Sequence, residues 1–188
     1  MKTGTLPVHR IELHMRELAQ LFNSMDPTPF HHRDLDPDAE EFIESWALEY
    51  PAGSRFHINV HLEQFPAEGD PAILVSEGIH NYFTYKSELT RRELNQLFRN
   101  GRVSLVIGLT FLMACLVVAN VTAKFVDGAV LVLVRESLTI GGWVAMWRPM
   151  QVFFYDWWPI VRRRRIYLSL SRAQIRVSRS TQGILSKL

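Results

Sequence analysis

Residues 103–123 read VSLVIGLTFLMACLVVANVTA, 21 positions without a charge. At about 1.5 Å per residue, a helix of that length is roughly 32 Å long, enough for a hydrocarbon layer of about 30 Å. The buried helix of a soluble protein rarely runs so far with no charge on any face. The stretch therefore reads as a transmembrane helix, assigned to residues 103–126. It lies too far along the chain to be a signal peptide.

On its C-terminal side, Asp127 and Gly128 break the run. An apolar segment (129–134), the pair Arg135-Glu136 and a long apolar stretch (138–161) follow. That stretch carries Trp143, Trp147, Tyr155, Trp157 and Trp158 and closes on Arg162, Arg163, Arg164 and Arg165. Trp and Tyr favour the headgroup level, so Tyr155, Trp157 and Trp158 before four arginines mark a membrane exit. This favours a second transmembrane helix over 138–161, with 127–137 as a short extracytoplasmic turn in which 129–136 form a turn or half-helix. A competing register spans about 129–150 and lays 151–161 in the interface.

Orientation follows from the basic flanks. Arg91, Arg92, Arg99 and Arg102 precede the first span and four arginines follow the second, whereas the connection offers Lys124 and Arg135. Both termini are expected in the cytoplasm, and in a bacterium the membrane would be the inner or plasma membrane. Residues 91–102, with Leu94, Leu97 and Phe98 among arginines, read as an interfacial amphipathic segment. Arg99 and Arg102 would anchor one side, as Tyr155, Trp157, Trp158 and Arg162 to Arg165 would anchor the other. Asn100-Gly101 is either a bend or part of a helix running straight through.

Residues 1–90 form an acidic head. Residues 1–101 hold 16 Asp/Glu against 9 Lys/Arg, a net of −7. The tail, 162–188, holds 8 Lys/Arg and no acid. The formal total of +2 is therefore a near-cancellation and names no partner. In the head, RFHINVHLE (55–63) alternates Phe56, Ile58, Val60 and Leu62 with polar residues, a strand with one apolar face. Residues 8–15 repeat the pattern more weakly. A short helix is expected at about 16–23, ahead of the turn residues Asp26-Pro27 and Pro29. A second begins at Asp36 as N-cap with Pro37 first in the helix, and a third at Asp70-Pro71. Thr90 and Glu93 fit a capping box, so a fresh helix could start there. In the basic tail, Ile166, Leu168 and Leu170 alternate with polar residues and suggest a strand docked on the head's sheet. The alternative is a solvated basic tail near anionic lipid. The expected fold is thus an α+β cytoplasmic head, of two or three strands with helices on one face, fused to a two-helix transmembrane hairpin, with a tail that adds a strand to the head.

Chemical motifs are sparse. One cysteine excludes an intramolecular disulfide and a Cys-based zinc site. Cys115 falls in the first span, where it behaves as a small hydrophobe. His31-His32-x-Asp34 has no recognised metal spacing. His57 and His61 share a strand face but stand about 13 Å apart, although His14 could sit opposite one of them. The acids from Asp34 to Glu41 lack the glycine and spaced glutamate of a calcium loop. No phosphate loop or nucleophile elbow occurs. The sequence therefore points to no catalytic residue, no cofactor, no metal, no nucleic acid and no small-molecule substrate.

The sharpest functional signal is polar groups inside the spans. Arg148 falls near the middle of the second span beside Pro149, where an arginine costs about 2.5–3.5 kcal/mol on insertion scales. Such groups face a bundle interior or another subunit. Thr110 and Asn120 of the first span are candidate hydrogen-bond partners; Asp156, eight positions on, reads as too distant to pair with Arg148. Gly108, Gly141 and Gly142 would permit close helix packing. Pro149 is expected to kink its helix. The leading expectation is a non-enzymatic accessory, assembly or scaffolding subunit whose partners are the bilayer and either itself or other membrane proteins. The alternatives are a small multimeric channel or transporter lined by the kinked second helix, and a membrane-tethered ligand or metal sensor.

Overall fold

The computed structural model describes residues 7–23, 34–65, 70–122, 124 and 128–180. The chain divides into two compact units: Met1–Arg91 with Arg162–Leu188, and Arg92–Val161.

The first unit is built on three parallel strands in the order β1 (Val8–Glu17), β2 (Arg55–Gln64), β3 (Gln174–Arg179). Parallel neighbours need long crossovers. Between β1 and β2 these are a 3-10 turn (Leu18–Leu21) and helix α1 (Pro37–Leu48). The second crossover leaves through helix α2 (Pro71–Thr122) and returns through α4 (Trp157–Leu170), with the second unit's helices between. Ile11, Leu13, Phe56, Ile58, Val60 and Leu62 form the buried face of the sheet. Ile43 and Ala47 of α1, Val75, Ile79 and Phe83 of α2, and Ile166 and Leu170 of α4 join them in one cluster.

Local signals explain the helix starts. Asp36 accepts from the Asp38 N–H at 3.0 Å, Pro37 leads the helix, and Asp38 and Glu40 sit in its first turn. Asp70 accepts from the Ala72 N–H at 2.9 Å ahead of α2. Each satisfies an amide that the helix cannot.

Several expectations are corrected. The helix expected at 16–23 is only the 3-10 turn, because β1 continues through Glu17, which is itself extended. No new helix starts at Thr90: its hydroxyl donates back to the Lys86 carbonyl at 2.9 Å, the bond a threonine makes inside a helix. Helix α2 runs unbroken through 91–102, so of the two expectations at Asn100-Gly101 the continuous helix is the one observed. The tail does add a strand, but at Gln174–Arg179; residues 166–170 end α4. Ile166, Tyr167 and Leu170 are buried, the spacing of a helical face. The turn after them is closed by Ser171 N–H to Tyr167 O at 2.8 Å and Ala173 N–H to Leu170 O at 3.0 Å.

In the second unit, α3 (Ala129–Gln151) starts directly after Gly128, whose φ of +104° suits glycine. Residues 129–137, expected as a short turn or half-helix, are the first turns of this continuous helix. The charged pair Arg135-Glu136 stays exposed and does not interrupt the backbone, and Thr139 donates to Arg135 O at 2.8 Å. A π-helical segment (Val152–Asp156) follows Pro149 and leads into α4, so the helical path extends beyond both registers considered for 138–161 and 129–150. Among the described residues, α2 is the helix long and apolar enough to cross a membrane.

Candidate functional site

The sheet has a second, polar face. Backbone register sets its rungs: Arg10, His57 and Gln174 are partners across the three strands, as are Glu12, Asn59 and Arg176, and His14, His61 and Ser178. Alternation along each strand sends these side chains away from the core. All are exposed or half-buried. The His14 and His61 rings stack, with centroids 4.5 Å apart and 10° between planes. The Ser178 hydroxyl lies 2.8 Å from His61 Nδ1. Glu12, His14 and His61 each bring a ligand-type atom within 4.8 Å of the others. One rung on, Arg16 Nε is 3.7 Å from Glu63. Neither His57 nor the Asp34 of the His31-His32-x-Asp34 motif belongs to this group; His31 and His32 lie outside the described residues. The possibility of a histidine opposite His57 or His61 was legible. The contribution of Glu12 was not, although Glu-x-His on a strand puts both side chains on one face.

A second polar cluster ties three helices of the first unit. Glu40 and Glu44 stand one turn apart on α1. Lys86 of α2 pairs with Glu40 and lies 3.6 Å from Glu44. Tyr82 donates to Glu40, and Tyr167 of α4 donates to Glu44 at 2.7 Å. The Lys86 ammonium also lies over the Tyr82 and Tyr167 rings, 5.8 and 5.5 Å from their centroids. Burial lowers the Lys86 pKa, with the Arg163 guanidinium adding to it. Burial, then the Asp34 carboxylate, raises that of Tyr82, which therefore remains a neutral donor at ordinary pH. Sequence reading missed this cluster; the spacing of Glu40 and Glu44 was its available signal. Replacing Lys86 with Met leaves two half-buried carboxylates facing each other, and about 1–3 kcal/mol of stability should be lost. Slower hydrogen exchange in β2 marks the intact domain, so the variant should speed it. Adding Glu44→Gln should recover part of the loss.

In the second unit, among the described residues, no hydrogen bond joins Arg148 to Thr110 or Asn120. Its guanidinium lies 3.7 Å from Asp156 and 3.5 Å from the Gln151 side-chain oxygen. The expectation that Asp156 is too distant is corrected. Eight α-helical residues separate two side chains by about 80° around the axis, but a π turn absorbs one residue and brings them to about 20°. Thr110 and Asn120 are exposed, as are Tyr155 and Trp158; Trp157 donates to the Phe153 carbonyl at 2.9 Å.

Of the candidate packing glycines, an ideal Cβ on Gly108 would lie 3.0 Å from the Ala145 carbonyl oxygen and 3.3 Å from the Met146 sulfur. One on Gly142 would lie 2.5 Å from the Leu112 side chain, and one on Gly141 would meet nothing within 4 Å. Gly101, not anticipated, sits against Val152 in the same way, at 2.6 Å. Its signal was the seven-residue spacing from Gly108, which places both on one helix face. Arg99, Arg102 and Arg165 are exposed. Arg162 instead donates to the Leu48 carbonyl at 2.7 Å, at the C-terminal end of α1, where a cation suits the helix dipole. Arg163 and Arg164 are half-buried.

Comparison with protein-family models, with curated proteins and with solved structures returns no match.

Proposed function

We propose that the chain is a non-enzymatic integral membrane protein, an accessory, assembly or scaffolding subunit. Two helices cross the bilayer as a hairpin, and head and tail together form a platform on the cytoplasmic side. The observation that carries this reading is the apolar surface of the second unit. Val106, Ile107, Val117, Leu133, Ile140, Trp143, Val144 and Trp147 are all exposed, along both α2 and α3. Soluble monomers rarely expose so many large apolar side chains along neighbouring helices, whereas lipid covers them without cost. The glycine contacts support a hairpin: Gly101 with Val152, Gly108 with Ala145 and Leu112 with Gly142 run in opposite directions along the chain. The basic flanks at 91–102 and 162–165 support cytoplasmic ends.

Arg148 no longer argues for a partner, since Asp156 and Gln151 engage it on its own helical path. The same engagement leaves a pore lined by that path without its free charged residue. The platform is the stronger argument. Parallel sheets are ordinarily covered on both faces, and this one has a polar face of exposed and half-buried side chains.

Alkaline carbonate washing should leave the chain in the membrane pellet, and tags at its two ends should report the cytoplasm. Release into the wash, or tags in opposite compartments, defeats the hairpin. Isolated in mild detergent, the chain should migrate above monomer mass or bring another membrane protein with it. A lone monomer defeats the subunit reading.

A further inference from the structure

The polar face of the sheet concentrates metal-ligating groups in one place. His14 and His61 are register partners on adjacent parallel strands, and Glu12 lies two residues before His14 on the same face. Their ligand-type atoms already lie within 4.8 Å of one another. Glu12 and His14 are exposed and His61 is half-buried, which leaves the first two room to turn toward an ion held by the third. Two imidazoles and a carboxylate make a donor set for a divalent transition metal: imidazole suits zinc, copper, nickel and iron, and three protein ligands leave a position open.

The orientation of His61 strengthens the case. A ligating histidine ordinarily uses its other ring nitrogen to hold a hydrogen-bond partner, which fixes both tautomer and ring angle. His61 has such a partner: Ser178 Oγ is 2.8 Å from Nδ1. With Nδ1–H donating to that hydroxyl, the Nε2 lone pair is the one offered to a metal. Ser178 belongs to β3, the strand supplied by the tail. The group that orients the ligand is therefore present only when the tail strand is docked.

We propose that Glu12, His14 and His61 bind one divalent transition-metal ion on the open face of the sheet, and that Ser178 couples occupancy of this site to docking of the tail strand. This stands apart from the membrane reading, since every residue it uses lies in the first unit. Chemically it makes the docked tail responsive to metal, because whatever binds the folded, docked form and not the undocked one stabilises docking.

The test uses the full chain in mild detergent, stripped with chelator and titrated calorimetrically with Zn²⁺. One ion per chain is expected. His14→Ala and His61→Ala should each weaken binding at least about 100-fold, and Ser178→Ala about 10- to 100-fold, the range typical of a lost orienting partner. His57→Ala, on the same strand and face but outside the cluster, should bind as the parent does. Hydrogen exchange supplies the second readout: Zn²⁺ should slow exchange at 174–179 in the parent and not in His61→Ala. If the parent takes up no ion, or His14→Ala and His61→Ala bind as tightly as it does, the site is refuted. If Zn²⁺ binds through these residues while exchange at 174–179 is unchanged, the coupling is refuted. Circular dichroism of each variant separates loss of ligand from loss of fold, and a His14→Ala variant that is folded yet binds normally also counts against the site.

Discussion

Ending the chain after Arg172 should unfold the sheet domain, although it removes none of the head's own sequence. β2 is the central strand, and six of its residues, His57 to Leu62, are register partners of β3. The Ser180 N–H adds a bond to the Leu62 carbonyl at 2.8 Å. Ile175 and Val177 pack against the core cluster. At about 0.5–1.5 kcal/mol net for each hydrogen bond, with two apolar side chains besides, the loss approaches the entire stability of an ordinary domain, about 5–15 kcal/mol. What would remain is a two-stranded parallel pair, and two-stranded sheets are marginal at best. Amides of β1 and β2 should lose exchange protection together. Arg176→Ala, on the polar face of the same strand, should leave them protected. Retained protection in the truncated chain would mean that β3 is an accessory to the domain rather than part of it.

The difficulty of reading that strand from sequence has a physical cause. Over six residues, Ile166, Leu168 and Leu170 alternate as a strand does, while Ile166, Tyr167 and Leu170 form an equally good helical stripe. What decides between them is the absence of a stop: no glycine or proline falls between Pro159 and Ala173, so α4 continues until the turn at Ser171. The strand 55–64 was legible because Phe56 to Leu62 alternate for longer than a helix could imitate, and α1 because Asp36-Pro37 is a start signal that acts locally. Thr90 misled for the complementary reason. A threonine caps only where the preceding residues are not helical, and that depends on residues 71–89, not on the motif. The site was less legible than the fold. His14 and His61 meet through a register fixed by the whole β1–β2 pairing, and Glu40, Glu44, Lys86 and Tyr167 meet through three helices distant in sequence. Arg148 and Asp156 needed the π turn after Pro149, which no residue pattern announces.

In the second unit, Gly108→Leu should separate α2 from α3, and Gly141→Leu should not. The two glycines differ in what a side chain would strike. At Gly108 the first added carbon already lies 3.0 Å from the Ala145 oxygen, a backbone atom that cannot swing aside. At Gly141 an added Cβ would meet nothing within 4 Å beyond its own helix. The Ala145 carbonyl is also the one that an α-helix would join to the N–H of residue 149, and Pro149 has no N–H. Close approach by a glycine thus covers a carbonyl that its own helix leaves without the usual donor, a cost that is high in lipid. Overpacking a close contact costs about 1–3 kcal/mol, and a branched side chain against backbone belongs at the upper end. Cys115 provides the measurement. It is buried and lies seven residues beyond Gly108 on the same face of α2. In mild detergent its reaction with a maleimide should quicken at least about tenfold in Gly108→Leu, since 1.4 kcal/mol corresponds to a factor of ten, and stay at the parental rate in Gly141→Leu. Equal rates in the two variants would show that Gly108 does not set the approach of these helices.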